Sequence, residues 1–218
     1  MKTILKALLF LFIYPSAHAG LVDNAYIGEH LTKQGFWAGL HGAKGENLGA
    51  GMLYYGIVYA MRAKTCVCLG SGDGFVPRVL RQAQRDLGLE DSRTILIDGN
   101  TGKWGHPQWL SENSILKREF PEIEIFLMTT KEALEVAKNW KIDYLHIDAD
   151  RTVRGALQDF LDYLPCMTEN GIIILHDTGS RSPCGAVVAK IQALGYSVIN
   201  FPNLGTGFAL IKIGSVTE

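Results

Sequence analysis

Short apolar runs alternate with helical periods along most of this chain, from residue 65 to residue 213. Seven apolar runs predict strands, and they cover residues 65–69, 94–97, 123–127, 142–147, 172–175, 196–201 and 208–213. Apolar residues that recur every three or four positions predict the intervening helices, over residues 76–87, 131–140, 153–164 and 187–194. Strands that are apolar throughout and separated by helices are typical of a parallel sheet with both faces covered.

Both ends of this pattern depart from strict alternation. No helix separates the last two predicted strands, so we expect the final strand to run antiparallel. Glu169-Asn170-Gly171 predicts a turn before the strand at 172–175. Residues 20–64 are instead rich in glycine and aromatic residues, and we interpret them as an N-terminal cap with one helix over 48–61. Residues 65–213 are therefore expected to form one α/β domain beside a short cap.

The first nineteen residues have the layout of a secretory signal peptide. Lys2 and Lys6 precede an apolar run over residues 7–14, and Ala17-His18-Ala19 supplies small residues at a cleavage position. The alternative is an apolar N-terminal helix that docks on the domain. The sequence leaves both interpretations of residues 1–19 open.

Composition narrows the class of protein. The chain has 218 residues, 47% of them hydrophobic, with 21 Lys+Arg against 22 Asp+Glu and a net charge of −1. This is too apolar for a disordered chain, and the near-neutral charge gives no general reason to bind nucleic acid or acidic membranes. No apolar run reaches the roughly 18 residues of a membrane span. Four cysteines are too few for a disulfide scaffold, and Cys66-Val67-Cys68 is a weak zinc signal that fits buried thiols better.

A glycine-rich turn, Gly70-Ser71-Gly72-Asp73-Gly74, follows the first predicted strand. In α/β sheets a nucleotide-like ligand binds at this place, where glycines let the backbone approach it closely. Asp98 ends the next strand, and a carboxylate there can accept both ribose hydroxyls of an adenosine; its alternative role is a simple turn or helix cap. The dinucleotide pattern of NAD enzymes needs Gly or Ala at position 75, where this chain has Phe75.

Ionisable residues end the fourth and fifth predicted strands, as His146-Ile147-Asp148-Ala149-Asp150-Arg151 and His176-Asp177-Thr178. Neighbouring parallel strands project their ends at one edge of the sheet, so we expect three carboxylates and two histidines to converge beside the glycine turn. Converging carboxylates repel one another unless a cation or a proton intervenes. Asp148, His176 and Asp177 are therefore candidate metal ligands, for Mg²⁺ or, with the histidine included, for a transition metal.

Each of these residues also has a structural alternative. Asp148 could line a cofactor pocket without a metal, and His146 fits a hydrogen-bonded histidine of the core. Asp150 could cap the following helix, with Thr152 as the competing cap. Arg151 stays protonated, so it cannot act as a base, but it could orient an anionic substrate or stabilise a developing oxyanion. The sequence leaves the metal site open.

The glycine turn after the first strand, together with Asp98 at the end of the second, resembles the class I S-adenosylmethionine-dependent methyltransferases, and the resemblance covers residues 41–213. The resemblance implies a Rossmann-like, doubly wound α/β fold whose seven-stranded sheet has the order 3-2-1-4-5-7-6, with strand 7 antiparallel. It also implies S-adenosylmethionine as the cofactor. The residues it assigns to this cofactor are Gly70, Ser71 and Gly72 at the methionine part, Asp98 at the ribose, Thr129 and Thr130 near the adenine, and Asp148. The family usually has an acid at the position of Cys68.

A narrower resemblance lies upstream of the first strand. Gly42-Ala43-Lys44-Gly45-Glu46 is similar to the Ala-Lys-Gly segment of catechol O-methyltransferases and of related small-molecule O-methyltransferases, including the group named with cephalosporin hydroxylases. It implies that Gly45 and Glu46 close over the cofactor or the substrate. It also implies that the acids Asp148 and Asp177 hold a divalent metal, with a third ligand next to the second acid.

This chain has Arg151 at a position where these relatives have either a lysine that acts as the base or a histidine. Proton removal would then fall to His176 or Asp150, or to a metal that lowers the pKa of the substrate. The candidate catalytic residues are thus Asp148, Asp150, Arg151 and His176.

The expected activity is methyl transfer from S-adenosylmethionine to an oxygen of a small hydroxylated acceptor, with Trp37, Tyr54 and Tyr55 of the cap as its wall. The alternatives are a methyltransferase-like binding protein without catalysis and a NAD-type oxidoreductase. The sheet domain uses most of the chain, so we expect an acceptor site that is shallow or completed by a second subunit of a homo-oligomer. S-adenosylmethionine is made and kept in the cytoplasm, which favours a cytoplasmic enzyme over export through residues 1–19.

Overall fold

The computed structural model describes residues 22–33, 36–99 and 111–214, so the predicted signal peptide or helix at 1–19 lies outside the described residues. A seven-stranded sheet has the order β3-β2-β1-β4-β5-β7-β6. Its strands are β1 (Thr65–Leu69), β2 (Arg93–Ile97), β3 (Glu124–Phe126), β4 (Ile142–Ile147), β5 (Met167–His176), β6 (Val198–Phe201) and β7 (Phe208–Lys212). Strands β1 to β5 pair in parallel, and β7 runs antiparallel to both β5 and β6. The predicted Rossmann-like α/β fold and strand order are confirmed.

Six helices connect and cover these strands within the described residues. They are α1 (Gly51–Met61), α2 (Phe75–Asp86), α3 (Ile115–Glu119), α4 (Thr130–Ala137), α5 (Val153–Tyr163) and α6 (Gly185–Ala193). Short helical turns at Asn24–Tyr26, Ile27–Leu31 and Ala38–His41 precede them in the cap, and one at Leu164–Cys166 precedes β5. The sequence did not predict α3, because five residues are too few to show a helical period.

The predicted turn at 169–171 is wrong. Strand β5 instead begins at Met167 and runs through this segment. Ile142 of β4 pairs with Met167, whereas Tyr144 pairs with Ile172, so the register shifts by extra residues in β5. The turn-forming residues therefore make a bulge within a continuous strand, a position that tolerates glycine.

The core has two layers, one on each face of the sheet. Along β1, Cys66 and Cys68 face the layer that holds α1, α2 and the cap, while Val67 and Leu69 face the layer that holds α4, α5 and α6. All four side chains are fully buried, which explains the unbroken apolar run in the sequence. Both thiols are free and belong to the core, as their spacing suggested. Within the described ranges, no helix is long and apolar enough to cross a membrane.

Asp159 of α5 makes stability depend on pH. Burial, and then the nearby Asp150 and Asp162, raise the pKa of Asp159 to about 6, although Thr130 donates a hydrogen bond of 2.7 Å to its Oδ1. A raised carboxyl pKa gives stability that is fully present below the unfolded pKa, near 4, and is lost as pH rises through 6. Between pH 4 and pH 8 the wild type should lose about 2 kcal/mol that Asp159→Asn retains, measured by urea unfolding. Asp91→Asn, on the exposed surface, is the control, and an identical pH dependence in all three proteins would contradict the assignment.

Candidate functional site

A cleft of about 1120 Å³ opens along the carboxyl ends of β1, β2, β4 and β5. The glycine turn after β1, Asp98 after β2, the start of α4, and the loops after β4 and β5 line it, together with Trp37 and His41 of the cap. This is the edge where open α/β sheets bind their ligands. Its volume is enough for a nucleoside-sized cofactor and a second small molecule.

The glycine turn has the backbone that the sequence predicted. Gly70 and Gly72 have φ of +74° and +61°, in the left-handed region that favours glycine. A Cβ on Gly70 would lie 2.4 Å from the carbonyl oxygen of Asp148, and one on Gly72 would lie 2.7 Å from Cγ of Trp37. Ser71 Oγ is buried in this turn and has no hydrogen-bond partner among the described residues. The turn thus presents an unpaired polar atom that a ligand could satisfy.

Support for the glycine turn comes from residues that the sequence analysis did not single out. Cys68, at the family's acidic position, lies in the core. The buried Asp73 accepts a hydrogen bond from the backbone N–H of Phe75 (3.0 Å), and the buried Arg78 donates from Nε to the carbonyl oxygen of Gly74 (3.1 Å). Burial raises the pKa of Asp73, and the charge of Arg78 opposes that rise. Each of these two buried side chains thus holds the end of the turn through its own hydrogen bond to the backbone.

Most of the predicted cofactor residues face the cleft. Besides the glycine turn and Asp148, its lining includes Asp98, Thr129 and Thr130. Thr129 is the N-cap of α4 and forms a capping box with Glu132, while Thr130 Oγ1 donates to the buried carboxylate of α5. The capping box and the hydrogen bond to α5 therefore fix both threonines in the lining of the cleft.

Gly45 and Glu46, which the resemblance assigns to closing over the cofactor or the substrate, are not among the residues that line the described cleft. The carbonyl oxygen of Gly45 accepts a hydrogen bond from Thr32 Oγ1, and the side chain of Glu46 packs near Gly28. Both residues are held against the first helical turns of the cap.

Four of the six ionisable residues of the two strand ends contact one another: Asp148, Arg151, His176 and Asp177. His176 Nδ1 lies 3.3 Å from Asp148 Oδ1 and 3.5 Å from Asp177 Oδ1. Arg151 Nε lies 2.9 Å from Asp177 Oδ2, and its Nη2 lies 3.5 Å from Asp148 Oδ1. Asp177 also accepts a hydrogen bond from Thr206, and its φ of +58° is rare for a residue other than glycine. Such backbone strain persists where surrounding contacts over-determine it.

Electrostatics keep Asp148 ionised. Burial by itself would raise the pKa of this carboxyl, but the nearby His176 and then Arg151 hold it well below its ordinary value. The cluster therefore contains a permanent anion with a permanent cation beside it.

His41 belongs to this cluster and was missed by the sequence analysis. Its ring stacks on His176 with centroids 4.0 Å apart, and its Nδ1 lies 3.2 Å from the hydroxyl of Tyr54. Burial and then His176 lower the pKa of His41 well below its ordinary value, so its imidazole is neutral. His41 lines the cleft, whereas His176 lies behind it and does not. Distance in the chain hid the pair, since no local pattern links the cap to β5.

His146 is a core histidine, as the alternative interpretation held, but without the expected hydrogen bond. It is fully buried on β4, and neither ring nitrogen has a partner among the described residues. Burial lowers the pKa of His146 to about 3, so it is neutral. Its ring packs 4.9 Å from that of Tyr54 and 5.8 Å from that of His41.

Asp150 and Trp37 line the cleft, whereas the other two aromatic residues predicted for the acceptor wall have structural roles. Asp150 lines the cleft, and its Oδ1 accepts the backbone N–H of Thr152, which is itself the N-cap of α5. Trp37 lines the cleft as predicted. Tyr54 is fully buried in the core, and Tyr55 donates its hydroxyl hydrogen bond to Asp86 of α2. The predicted aromatic wall is thus reduced to Trp37 within the described residues.

The metal donor set differs from the predicted one. Ligand atoms of His41, Asp148 and His176 lie within 4.8 Å of one another. Two imidazoles and a carboxylate suit a transition metal, whereas Mg²⁺ takes oxygen ligands. Asp177, the remaining predicted ligand, accepts from Arg151 at one oxygen and from Thr206 at the other. The residues present therefore do not fit the Mg²⁺ site of catechol-type enzymes.

Comparison with known proteins gives one family. A family model described as a methyltransferase domain matches residues 67–178, just over half of the chain. This segment contains the glycine turn and both ionisable strand ends. A comparison with curated proteins found no match.

Solved structures share the fold at low sequence identity. An O-methyltransferase from Bacillus cereus, in complex with S-adenosylhomocysteine, has a TM-score of 0.59 and 14% identity, covering 75% of this chain and 80% of its own. TomG, an O-methyltransferase of tomaymycin synthesis from Streptomyces achromogenes in complex with S-adenosylmethionine, has a TM-score of 0.61 and 14% identity, covering 82% and 87%. A methyltransferase from Geobacter sulfurreducens has a TM-score of 0.58 and 20% identity, covering 76% and 78%.

Proposed function

The chain belongs to the methyltransferase-domain family, and on that premise we propose that it transfers the methyl group of S-adenosylmethionine to an oxygen of a small hydroxylated acceptor. One observation carries the proposal: a single cleft joins the glycine turn and Asp98 to the cluster of Asp148, Arg151 and Asp177. The first set suits an adenosyl cofactor, and Arg151 of the second set can donate a hydrogen bond to an acceptor oxygen that loses its proton. The O-methyltransferases among the solved structures of similar fold support the choice of oxygen.

The cofactor half of the cleft fits S-adenosylmethionine. Gly70 and Gly72 let the turn pack against the backbone of Asp148 and the ring of Trp37, where a Cβ would clash, and the buried Ser71 Oγ has no hydrogen-bond partner in the described part of the protein. Asp98 supplies a carboxylate for the ribose at the end of β2. Thr129 and Thr130 also line the cleft, and we assign them to the adenine.

Bound S-adenosylmethionine supplies a methyl group already activated by its sulfonium: the acceptor oxygen bonds to the methyl carbon while the carbon–sulfur bond breaks and its electron pair stays on sulfur. The protein mainly holds the two reactants in line and excludes water, which can provide much of the rate. Trp37 packs on the glycine turn and lines the cleft, so it places an apolar wall next to the reacting atoms.

His41 is the best placed acceptor for the hydroxyl proton. Of the residues suggested by the sequence, His176 lies behind His41, and Asp150 is partly engaged with the backbone of Thr152. His41 lines the cleft, and its stack on His176 and its contact with Tyr54 fix its ring. Burial lowers its pKa, which keeps the imidazole neutral and also makes it a weak base that requires an acidic hydroxyl. In the tautomer whose Nδ1–H donates to the Tyr54 hydroxyl, the other ring nitrogen carries the lone pair that would take the proton.

Net charge, the shape of the cleft and the supply of the cofactor bear on the acceptor, the assembly and the location of the enzyme. The acceptor is a small molecule rather than a nucleic acid, since the formal net charge is only −1. An open cleft supports an acceptor site that is shallow or completed by a second copy of the chain. The supply of S-adenosylmethionine supports a cytoplasmic location.

Calorimetry with S-adenosylmethionine and with NAD tests the proposed function. We expect S-adenosylmethionine to bind and NAD not to bind, and Asp98→Ala to weaken S-adenosylmethionine binding by about 100-fold, because hydrogen bonds to a charged carboxylate are lost. Asp91→Ala, an exposed acid in the turn before β2, is the matched control and should bind like the wild type.

Methyl transfer is then measured over a panel of phenols and sugars. Binding of NAD in place of S-adenosylmethionine would point to the oxidoreductase alternative. Binding of S-adenosylmethionine without transfer to any acceptor would favour a binding protein that has lost catalysis.

A further inference from the structure

The guanidinium of Arg151 lies between two buried carboxylates at the ends of β4 and β5. Its Nε is 2.9 Å from Asp177 Oδ2, and its Nη2 is 3.5 Å from Asp148 Oδ1. The two acidic side chains are only 7% and 8% exposed. Neighbouring carboxylates with so little access to water need a positive charge between them. In this chain a side chain three residues after Asp148 provides that charge.

The same contacts leave little room for the divalent ion of catechol-type enzymes. Asp177 has both oxygens engaged, by Arg151 and by Thr206. The nearest further donors to Asp148 are ring nitrogens of His41 and His176, which Mg²⁺ does not prefer. A transition metal on those nitrogens would have to share the Asp148 carboxylate with the guanidinium.

We propose that Arg151 is the built-in cation of the acceptor site and that the enzyme, without a metal, methylates an acidic hydroxyl such as a phenol. This inference rests on the proposed function. Arg151 lines the cleft, is 27% exposed, and has its guanidinium carbon 5.7 Å from the centre of the Trp37 ring. A guanidinium carries five N–H donors, so two contacts to carboxylates leave others for the acceptor oxygen.

The single charge of Arg151 determines which acceptors can react. A divalent metal lowers the pKa of a bound hydroxyl strongly, whereas a guanidinium whose charge is already balanced by two carboxylates can only donate hydrogen bonds to the acceptor oxygen, so the acceptor itself must be acidic. A phenol, with a pKa of about 10, is within reach of such a site. The hydroxyl of a sugar is far less acidic and is not. The acceptor is therefore a phenol or enol rather than an alcohol.

The experiment compares the wild type with Arg151→Met, Arg151→Lys and the control Arg154→Met, which removes an exposed arginine of α5 that does not line the cleft. Methyl transfer to phenols and sugars is measured with and without EDTA, and calorimetry measures binding of S-adenosylmethionine, Mg²⁺ and Zn²⁺. We expect full activity in EDTA, no heat with either metal, and transfer to phenols alone. Arg151→Met should lower kcat/KM for the phenol by about 100-fold while S-adenosylmethionine binding changes by less than about threefold.

The lysine variant keeps the test decisive if Arg151→Met does not fold. Lysine keeps the charge but cannot contact both carboxylates as a fork, so its kcat/KM should fall by about 10-fold or more. Activity that EDTA abolishes and a metal restores, preferential transfer to sugars, or a wild-type kcat/KM in either Arg151 variant would overturn the role of Arg151. A wild type that neither binds S-adenosylmethionine nor transfers methyl would instead reject the proposed function.

Discussion

Replacing Gly70 by alanine should reduce methyl transfer by about 100-fold, because the turn must move away from its working position. The new Cβ would lie 2.4 Å from the carbonyl oxygen of Asp148 and 3.0 Å from Cα of Ala149. Both are backbone atoms of the chain after β4, so neither can rotate away. The substitution therefore separates the cofactor turn from the ionisable cluster. Binding of S-adenosylmethionine by calorimetry and kcat/KM for the acceptor are the measurements.

Gly88→Ala is the matched control for Gly70→Ala. Gly88 also has a positive φ, +62°, but a Cβ there would meet nothing within 4 Å. Gly88→Ala should lower the free energy of unfolding by about 1–2 kcal/mol through backbone strain alone. Its cofactor binding should be the same as in the wild type. Similar cofactor affinities in the two variants would show that the close approach of Gly70 to β4 does not matter.

The sheet could be predicted from the sequence because the patterns that indicate its strands are local. Each strand is a short apolar run, and the glycine turn follows one of them directly. Parallel topology then brings the turn, Asp98, Asp148 and Asp177 to one edge, which the structure confirms for the fold. The failure at 169–171 has the same origin: turn-forming residues indicate a break in regular pairing, and a bulge satisfies that signal as well as a turn does.

The acceptor side of the cleft was harder to predict from the sequence because it depends on packing between segments that are distant in the chain. Arg151 is visible in the sequence, but its contact with both carboxylates requires the register of β4 against β5. The placement of Gly45 depends on a hydrogen bond from Thr32 within the cap, which no periodicity encodes. His41 is the clearest case, since only the folded cap stacks it on His176.

His41→Phe should lower kcat by about 100-fold, the effect of removing a general base. Phenylalanine keeps a ring to stack on His176 at the 4.0 Å spacing of the wild type, so the fold around it should be kept. The deficit should shrink for phenols of higher acidity, because an acceptor that is already ionised has no proton to give. Binding of S-adenosylmethionine should stay within about twofold of the wild type, since a base acts only in the chemical step.

Tyr54→Phe distinguishes the effect of losing the imidazole of His41 from the effect of losing its hydrogen bond to Tyr54. Both this variant and His41→Phe lose the contact between the Tyr54 hydroxyl and His41 Nδ1, so both carry the stability cost of that lost hydrogen bond, about 1 kcal/mol. Tyr54→Phe keeps the imidazole, and we expect its kcat to fall by less than about 10-fold. Equal losses in the two variants, or a His41→Phe deficit that is the same for every phenol, would mean that His41 acts through packing alone. A deficit that follows the acidity of the acceptor would place proton transfer on the residue that only the folded cap brings to the cleft.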